Sequence, residues 1–191
     1  GGYHFLLLDS DEINAFAAPG GFILVTRGLV GLCKTEGELA AVLAHEIGHV
    51  ANKDGLRAIK KSRLTSALTT LAVEAGRSLG SEDIKELTEQ FAGGIDDITQ
   101  TLVTSGYART QEHEADQAAL TILNRTGYNP HALVRMLEEM ERRWDPQGHG
   151  FERTHPSPKD RLGKVRGQYG ASAGSPPSNR MDRFEKAVGS L

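Results

Sequence analysis

The feature that most constrains the fold is an apolar stretch that contains two histidines and a glutamate, His45-Glu46-Ile47-Gly48-His49. Thr35-Glu36-Gly37-Glu38 has the pattern of a capping box, and the apolar residues after it recur at helical spacing, so we expect a single helix here. Residues four apart share a helix face, so His45 and His49 can bind one metal ion. Glu46 lies about 100° round the helix axis, where its carboxylate can accept a proton instead of binding the metal.

The histidine pair has a plainer interpretation, namely two ordinary surface residues. With 7 histidines in 191 residues, a His-Glu-x-x-His string arises by composition alone in roughly one chain in fifty. Against that interpretation, the residues around the motif are mostly apolar, and they include Leu43, Ala44, Ile47 and Val50. Such a helix is buried, and buried imidazoles beside a carboxylate need partners. The motif therefore predicts a metal site.

A third metal ligand has to come from elsewhere, because catalytic zinc normally has three protein ligands and one open position. Glu112 and Asp116 are four residues apart in another predicted helix, so they share a face. Glu112 is the candidate ligand, and Asp116 would accept a hydrogen bond from the free ring nitrogen of His45 or His49. The alternative is a charged, solvated helix face. His113 points elsewhere and is expected on the surface.

The remaining pattern predicts a small sheet followed by helices. Tyr3 to Leu8 is one expected strand, while Ile13 to Ala17 and Phe22 to Thr26 flank Pro19-Gly20-Gly21, so we expect a small antiparallel sheet. Helical patterns cover residues 36 to about 52–55 and residues 56–80, and another begins at 83 with a break at 93–94. Further helical patterns cover residues 95–123, residues 130–144 after the Asn129-Pro130 cap, and residues 158–169 after the Ser157-Pro158 cap. Residues 145–154 are expected to form a loop. The predicted fold class is α+β and predominantly α-helical.

Composition excludes two classes of function. Lys and Arg number 22 against 25 Asp and Glu, a net charge of −3, so there is no excess positive charge with which to bind nucleic acid. The longest apolar run, Leu39 to Ala44, is far shorter than the ~20 residues of a membrane span, so no transmembrane segment is predicted. The lone Cys33 excludes an internal disulfide and is expected to be a small buried residue. The chain starts without Met, which leaves room for a missing signal, anchor or partner domain.

Four segments taken together resemble peptidase family M48. They are Ile13 to Gly21, the His45 to His49 motif, Arg109 to Asp116, and His155-Pro156 followed by Arg161-Leu162. Their order and spacing agree with the family over roughly residues 3–170. The family includes the CAAX prenyl proteases and the HtpX-like and Oma1-like proteases, and this chain is most similar to its soluble, periplasmic, BepA-like branch.

The resemblance implies a zincin-type fold of the gluzincin class with one Zn²⁺ per chain. The implied zinc ligands are His45, His49 and Glu112. Glu46 is implied as the general base on the zinc-bound water, and Asp116 as the partner that orients a zinc ligand. One departure is Ala108, where many relatives have Ser, but Arg109 after it is retained.

The resemblance also implies where the substrate lies. Asn14, Ala15 and Phe16 look like the family's edge strand above the zinc, on which an extended peptide would pair through main-chain hydrogen bonds. A plain core strand is the alternative, and it suits Phe16 better than Asn14. Arg109 or His155 would stabilise the oxyanion.

His155 has three interpretations. In the first it is a loop histidine in solvent, and in the second it donates a hydrogen bond to the tetrahedral intermediate. In the third it is a fourth metal ligand that blocks the water position and inhibits the resting enzyme. The resemblance implies that the His-Pro at this point lies near the zinc, which favours the last two interpretations.

We therefore expect a zinc metallopeptidase domain over residues 1–170 and a mobile C-terminal tail over residues 171–191. The predicted function is that of a zinc-dependent metalloendopeptidase that hydrolyses misfolded or envelope proteins in the bacterial periplasm or cell envelope, as part of protein quality control. The alternative is a zinc-binding, chaperone-like module that holds unfolded proteins with little or no cleavage. The unligated Glu46 favours the enzyme, because a structural zinc site has no use for such a carboxylate.

Overall fold

The computed structural model describes residues 2–60, 63, 106–144, 151–155, 157–168 and 178–189. The helical patterns predicted between residues 64 and 105, with the break at 93–94, lie outside the described residues. Residues 54–60 are helical, which agrees with the start of the helix predicted over 56–80. In the part of the chain that is described, no helix has the length and apolar character that crossing a bilayer requires.

The N-terminal residues form a three-stranded sheet. Its strands are β1 (His4–Leu8), β2 (Ala15–Ala18) and β3 (Phe22–Thr26), in the order β1-β3-β2. The hairpin of β2 and β3 is antiparallel, as predicted, and Gly20 and Gly21 form its turn at φ values of 94° and 91° that favour glycine. The prediction of a wholly antiparallel sheet was wrong, because β1 pairs with β3 in parallel. The chain turns back between β1 and β2 and again in the hairpin, so β1 and β3 run in the same direction.

Besides the helical residues 54–60, the described part of the chain contains seven helices. They are α1 (Arg27–Leu32), α2 (Glu36–Asn52), α3 (Arg109–Arg125), α4 (His131–Arg142), α5 (Phe151–Thr154), α6 (Pro158–Gln168) and α7 (Ser178–Val188). Two predictions were wrong. Residues 151–154 form a helical turn instead of a loop, and residues 106–108, inside the helix predicted over 95–123, are not helical. The interruption follows from Gly106, which has φ 58°, and from Tyr107, whose N–H donates to Thr154 O at 3.0 Å.

The start and the end of α2 are fixed by specific contacts. Thr35 Oγ1 accepts a hydrogen bond from the N–H of Glu38 at 3.2 Å, as the capping pattern predicts. The Glu38 carboxylate, however, accepts from the N–H of Lys34 instead of Thr35. The helix ends at Asn52, and Lys53 after it has the left-handed φ of 58°. This ending turns the chain sharply just beyond His49.

Two apolar clusters bury opposite sides of α2. The first contains Ile23 and Val25 of the sheet, Leu29 of α1 and Met136 of α4, and Cys33 is buried in it as expected. The second joins α2 to α3, α4 and α6. Because α2 is covered on both sides, the polar residues on it are enclosed by the core.

The C-terminal helix α7 packs against the rest of the fold. Phe184 is buried in the first apolar cluster, and the Arg183 guanidinium donates to the Glu36 carboxylate at the start of α2. The Arg180 guanidinium lies 4.2 Å from the centre of the Tyr128 ring. The segment predicted as a C-terminal tail thus contains a docked helix.

Candidate metal centre

The two motif histidines converge on one point because they lie one turn apart on α2. His45 Nε2 and His49 Nε2 are 3.1 Å apart, and the two rings meet edge to face. Glu46, between them, is buried and lies on the neighbouring part of the same helix. This arrangement agrees with the spacing argument from the sequence.

Helix α3 brings Glu112 to the same point. Its Oε1 lies 3.2 Å from His49 Nε2, and its Oε2 lies 3.5 Å from His45 Nε2. The two helices approach closely at Gly48, since a Cβ there would lie 2.9 Å from the Cα of Ala115. The absence of a side chain at Gly48 therefore allows Glu112 to reach the histidines.

A third histidine, His155, completes the cluster from the residue after α5. Its Nδ1 lies 2.9 Å from Glu112 Oε1, its Nε2 lies 3.6 Å from Glu46 Oε1, and its ring stacks on Phe151. One ligand atom from each of His45, His49, Glu112 and His155 lies within 4.8 Å of all the others. The position of His155 does not support the interpretation as a loop histidine in solvent.

Each motif histidine has a carboxylate on its second ring nitrogen. Asp116 Oδ1 lies 3.1 Å from His45 Nδ1, and Asp54 Oδ2 lies 2.9 Å from His49 Nδ1. Such partners fix the ring orientation and leave Nε2 of each ring directed into the cluster. Arg161 holds Asp116 in turn, with its Nε donating to Asp116 Oδ2 at 2.9 Å.

The charges inside the cluster are strongly coupled. Burial opposes ionisation of Glu112, but the charges of His155 and Arg161 outweigh it and hold the pKa of Glu112 well below its usual range. Burial also opposes protonation of His49, yet hydrogen bonds to Asp54 and Glu112 raise its pKa to about 9. The Glu112 carboxylate is therefore ionised and draws positive charge into the cluster.

The donor set fits a metal cation. Glu46 Oε2 and Glu112 Oε2 are buried and have no hydrogen-bond partner among the described residues. Arg161 Nη1 lies 2.8 Å from Glu112 Oε2, but the two groups are not aligned for a hydrogen bond. Imidazole nitrogens together with a carboxylate oxygen are ligands that zinc takes in proteins. The cluster thus offers a cation three nitrogens and an unsatisfied carboxylate oxygen.

Comparison with known proteins agrees with this geometry. The family model of peptidase family M48 matches residues 1–168. The chain belongs to peptidase family M48. The beta-barrel assembly-enhancing protease of Escherichia coli K12 is 31% identical over 166 residues, which are 86% of this chain and 34% of that protein.

Relatives from other branches of the family match as well. The mitochondrial metalloendopeptidase OMA1 of Schizosaccharomyces pombe is 30% identical over 154 residues, 80% of this chain and 42% of that protein. The protease HtpX homolog of Acidiphilium cryptum is 34% identical over 156 residues, 73% of this chain and 51% of that protein. The M48 chain therefore spans about a third to a half of the length of these relatives.

One predicted site residue lies outside the cluster of this M48 chain. The Arg109 side chain is 78% exposed, and its Nη1 lies 3.4 Å from Asp160 Oδ2 at the surface. The expectation that Arg109 faces the reacting atoms was therefore wrong, because the first turn of α3 directs it to solvent. Arg161, which the sequence analysis noted without a role, is the buried arginine of the cluster.

The strand β2 has the edge position expected for Asn14, Ala15 and Phe16. Asn14 and Ala15 are buried, whereas Phe16 is partly exposed. In an antiparallel pair alternate residues face the partner strand, and the N–H of Thr26 in β3 donates to Asn14 O. The alternate carbonyls face the free edge, where groups of this chain contact them. The Phe151 N–H donates to Ile13 O, and the Tyr107 hydroxyl donates to Ala17 O. His155 Nε2 lies 3.3 Å from Ala15 O.

Two buried residues of the site were missed by sequence reasoning. Asp54 lies just after the end of α2. The one signal in the sequence that could have identified it is its position as an acidic residue five places after His49. Tyr107 stacks on His49 with a distance of 3.9 Å between ring centres. The helical pattern assigned to residues 95–123 concealed Tyr107, because it placed that residue inside a helix.

Proposed function

We propose that this chain is a zinc-dependent metalloendopeptidase domain spanning residues 1–170. The observation that supports the proposal most is the convergence of four buried metal-ligating side chains on a point beside Glu46, whose Oε2 has no hydrogen-bond partner among the described residues. His45, His49 and Glu112 are the proposed zinc ligands. Asp116, together with Asp54, holds the histidine rings in place.

Bound zinc would supply Lewis acidity, which polarises the peptide carbonyl and acidifies the attacking water. Glu46 is proposed to accept the proton of that water on its carboxylate and to deliver it to the leaving amine. The substrate backbone is proposed to lie along β2 at Asn14, Ala15 and Phe16 and to pair there with the main-chain groups of Ala15, which face away from β3. His155, which lies between Ala15 O and Glu46, is proposed to contact either the metal or the oxyanion.

The relatives support a proposal for the substrate class and the location. The E. coli relative is named as a protease that enhances beta-barrel assembly, so we propose that this chain acts on misfolded or envelope proteins in the bacterial periplasm or cell envelope. The comparisons give no support to the alternative of a chaperone-like module, because the matched relatives are named as proteases.

The test compares the wild-type chain with Glu46→Gln on fluorescein-labelled casein, with and without a zinc chelator. We expect chelation to stop cleavage and Glu46→Gln to lower kcat by about 10²–10⁴-fold, the usual contribution of a general base. Metal analysis should still find one zinc per chain in Glu46→Gln. Glu185→Gln is the matched control, because Glu185 is an exposed residue of α7, a helix that contributes no residue to the cluster.

Two results would contradict the proposal. Glu46→Gln with wild-type turnover would exclude Glu46 as the general base. Zinc-loaded wild-type chain that binds casein without cleaving it would instead favour the chaperone-like alternative.

A further inference from the structure

The short segment from Tyr107 to Glu112 encloses His49 on several sides. Glu112 contacts Nε2 of the His49 ring, and Gln111 Nε2 donates to Asp54 Oδ1 at 3.0 Å, which holds the carboxylate bound to Nδ1. Tyr107 covers the face of the ring. One segment of six residues thus touches the ring edge, supports its carboxylate partner and packs on its plane.

The contact between Tyr107 and His49 is a stack. The ring centres are 3.9 Å apart and the planes are inclined by 16°. The hydrogen bond between Nδ1 and Asp54 holds one edge of the imidazole, but by itself it does not prevent the ring from tilting by rotation about its Cβ–Cγ bond. An aromatic ring packed flat on the imidazole restricts that tilt.

The hydroxyl of Tyr107 makes a second contact on the other side of the site. It donates to Ala17 O of β2 at 3.0 Å, and both groups are buried. Ala17 lies two residues after Ala15, so both carbonyls face the free edge of β2.

We propose that Tyr107 is a positioning residue that fixes the His49 ring through its stack and the β2 edge through its hydroxyl, and so sets the distance between the metal and the substrate strand. The inference rests on the proposed peptidase function. The main-chain N–H of Tyr107 adds a third attachment, because it donates to Thr154 O beside His155. Tyr107 thereby contacts His49, β2 and the segment of His155 together.

The experiment separates the ring from the hydroxyl with two variants. Tyr107→Phe keeps the stack and removes the bond to Ala17 O, whereas Tyr107→Leu removes both. The control is Tyr128→Phe, because Tyr128 O–H bonds Glu36 away from the metal cluster. The measurements are zinc affinity, by equilibrium competition with a chromogenic chelator, KM and kcat on labelled casein, and hydrogen exchange of the β2 amides.

Each variant has its own expected result. Tyr107→Leu should bind zinc about 10–100-fold more weakly, as after loss of an outer partner of a metal ligand. Tyr107→Phe should bind zinc within twofold of wild type, but its KM should rise about fivefold with little change in kcat, and its β2 amides should exchange faster. Tyr128→Phe should match wild type in all four measurements.

Three results would overturn the inference. Wild-type zinc affinity in Tyr107→Leu would exclude a role of the ring, and equal zinc losses in Tyr107→Leu and Tyr107→Phe would exclude the separation of roles. Wild-type β2 exchange in Tyr107→Phe would exclude the role of the hydroxyl. If Tyr107→Leu does not fold, Tyr107→Met replaces it.

If the chain is not a peptidase, the same experiment gives a different pattern of results. A wild-type chain that binds zinc and cleaves nothing contradicts the peptidase proposal. In that case the zinc affinities and the β2 exchange rates still decide whether Tyr107 positions His49 and the strand.

Discussion

Replacement of Gly48 by alanine tests whether the close approach of α2 and α3 creates the metal site. Gly48 is the fourth residue of the His45 to His49 motif and carries no ligand atom. An added Cβ would lie 2.9 Å from both the Cα and the O of Ala115 and 3.1 Å from the Cβ of Ala118. Ordinary contacts begin near 3.4 Å, so α3 has to move away from α2 by about half an ångström, more than the ~0.2 Å that metal–ligand distances tolerate.

Two opposing effects determine the stability of Gly48→Ala. Alanine is favoured over glycine inside a helix by about 1 kcal/mol, whereas overpacking a close contact costs about 1–3 kcal/mol. The net effect is a loss of about 0–2 kcal/mol, which lowers the melting temperature of a chain of this length by a few degrees. Zinc affinity should fall more steeply, by at least about tenfold, because Glu112 moves with α3.

Gly163→Ala is the matched control for the helix effect. Gly163 lies inside α6, and a Cβ there would meet nothing within 4 Å. The Gly163→Ala substitution should raise the melting temperature by about 2–4 °C and leave zinc affinity unchanged. Thermal melting of the metal-free proteins and chelator competition measure both quantities. If Gly48→Ala gains stability as Gly163→Ala does and binds zinc like wild type, the reasoning is refuted.

Two further predictions concern α7 and His155. The hydrogen bond from Arg183 holds the pKa of Glu36 below its usual value. This interaction therefore stabilises the fold fully at pH values above the usual pKa of a glutamate, and the stabilisation is lost as pH falls through the lowered pKa of Glu36. Glu36→Gln should therefore melt below wild type at neutral pH, with a gap that closes in acid; a pH-independent gap would exclude the ionic contribution. His155→Ala should cleave casein faster at neutral pH, because the ring lies against both Ala15 O and the metal cluster. A large loss of activity would instead assign His155 to the oxyanion, and no change would discard both roles.

Local patterns in the sequence predicted the parts of the structure that depend on neighbouring residues. The spacing of His45 and His49 placed both rings on one face of α2, and the Thr35 cap and the glycine turn marked the start of that helix and the β2 hairpin. Each of these depends on residues within about five positions, so periodicity and turn chemistry are sufficient. The family resemblance was needed to choose Glu112 over a solvated helix face.

The remaining features depend on contacts between distant segments. Arg109 was expected near the oxyanion and Arg161 was given no role, yet the packing of α6 against α3 brings Arg161 into the cluster. Similarly, Tyr107 is left out of the helix by Gly106 and by the bond to Thr154 O, neither of which a helical period can reveal. The parallel pairing of β1 has the same origin, since β1 pairs with β3 and β2 lies between them in the sequence.

Burial of the metal cluster governs how fast an ion can enter or leave. The ligand side chains are at most 4% exposed, so zinc reaches them only when part of the surrounding structure opens. The loading rate of metal-free chain should rise with zinc concentration only until opening becomes rate-limiting, and then level off. Release into excess chelator should proceed at a rate that does not depend on the chelator concentration. The half-life of metal exchange therefore measures the rate at which this part of the fold opens.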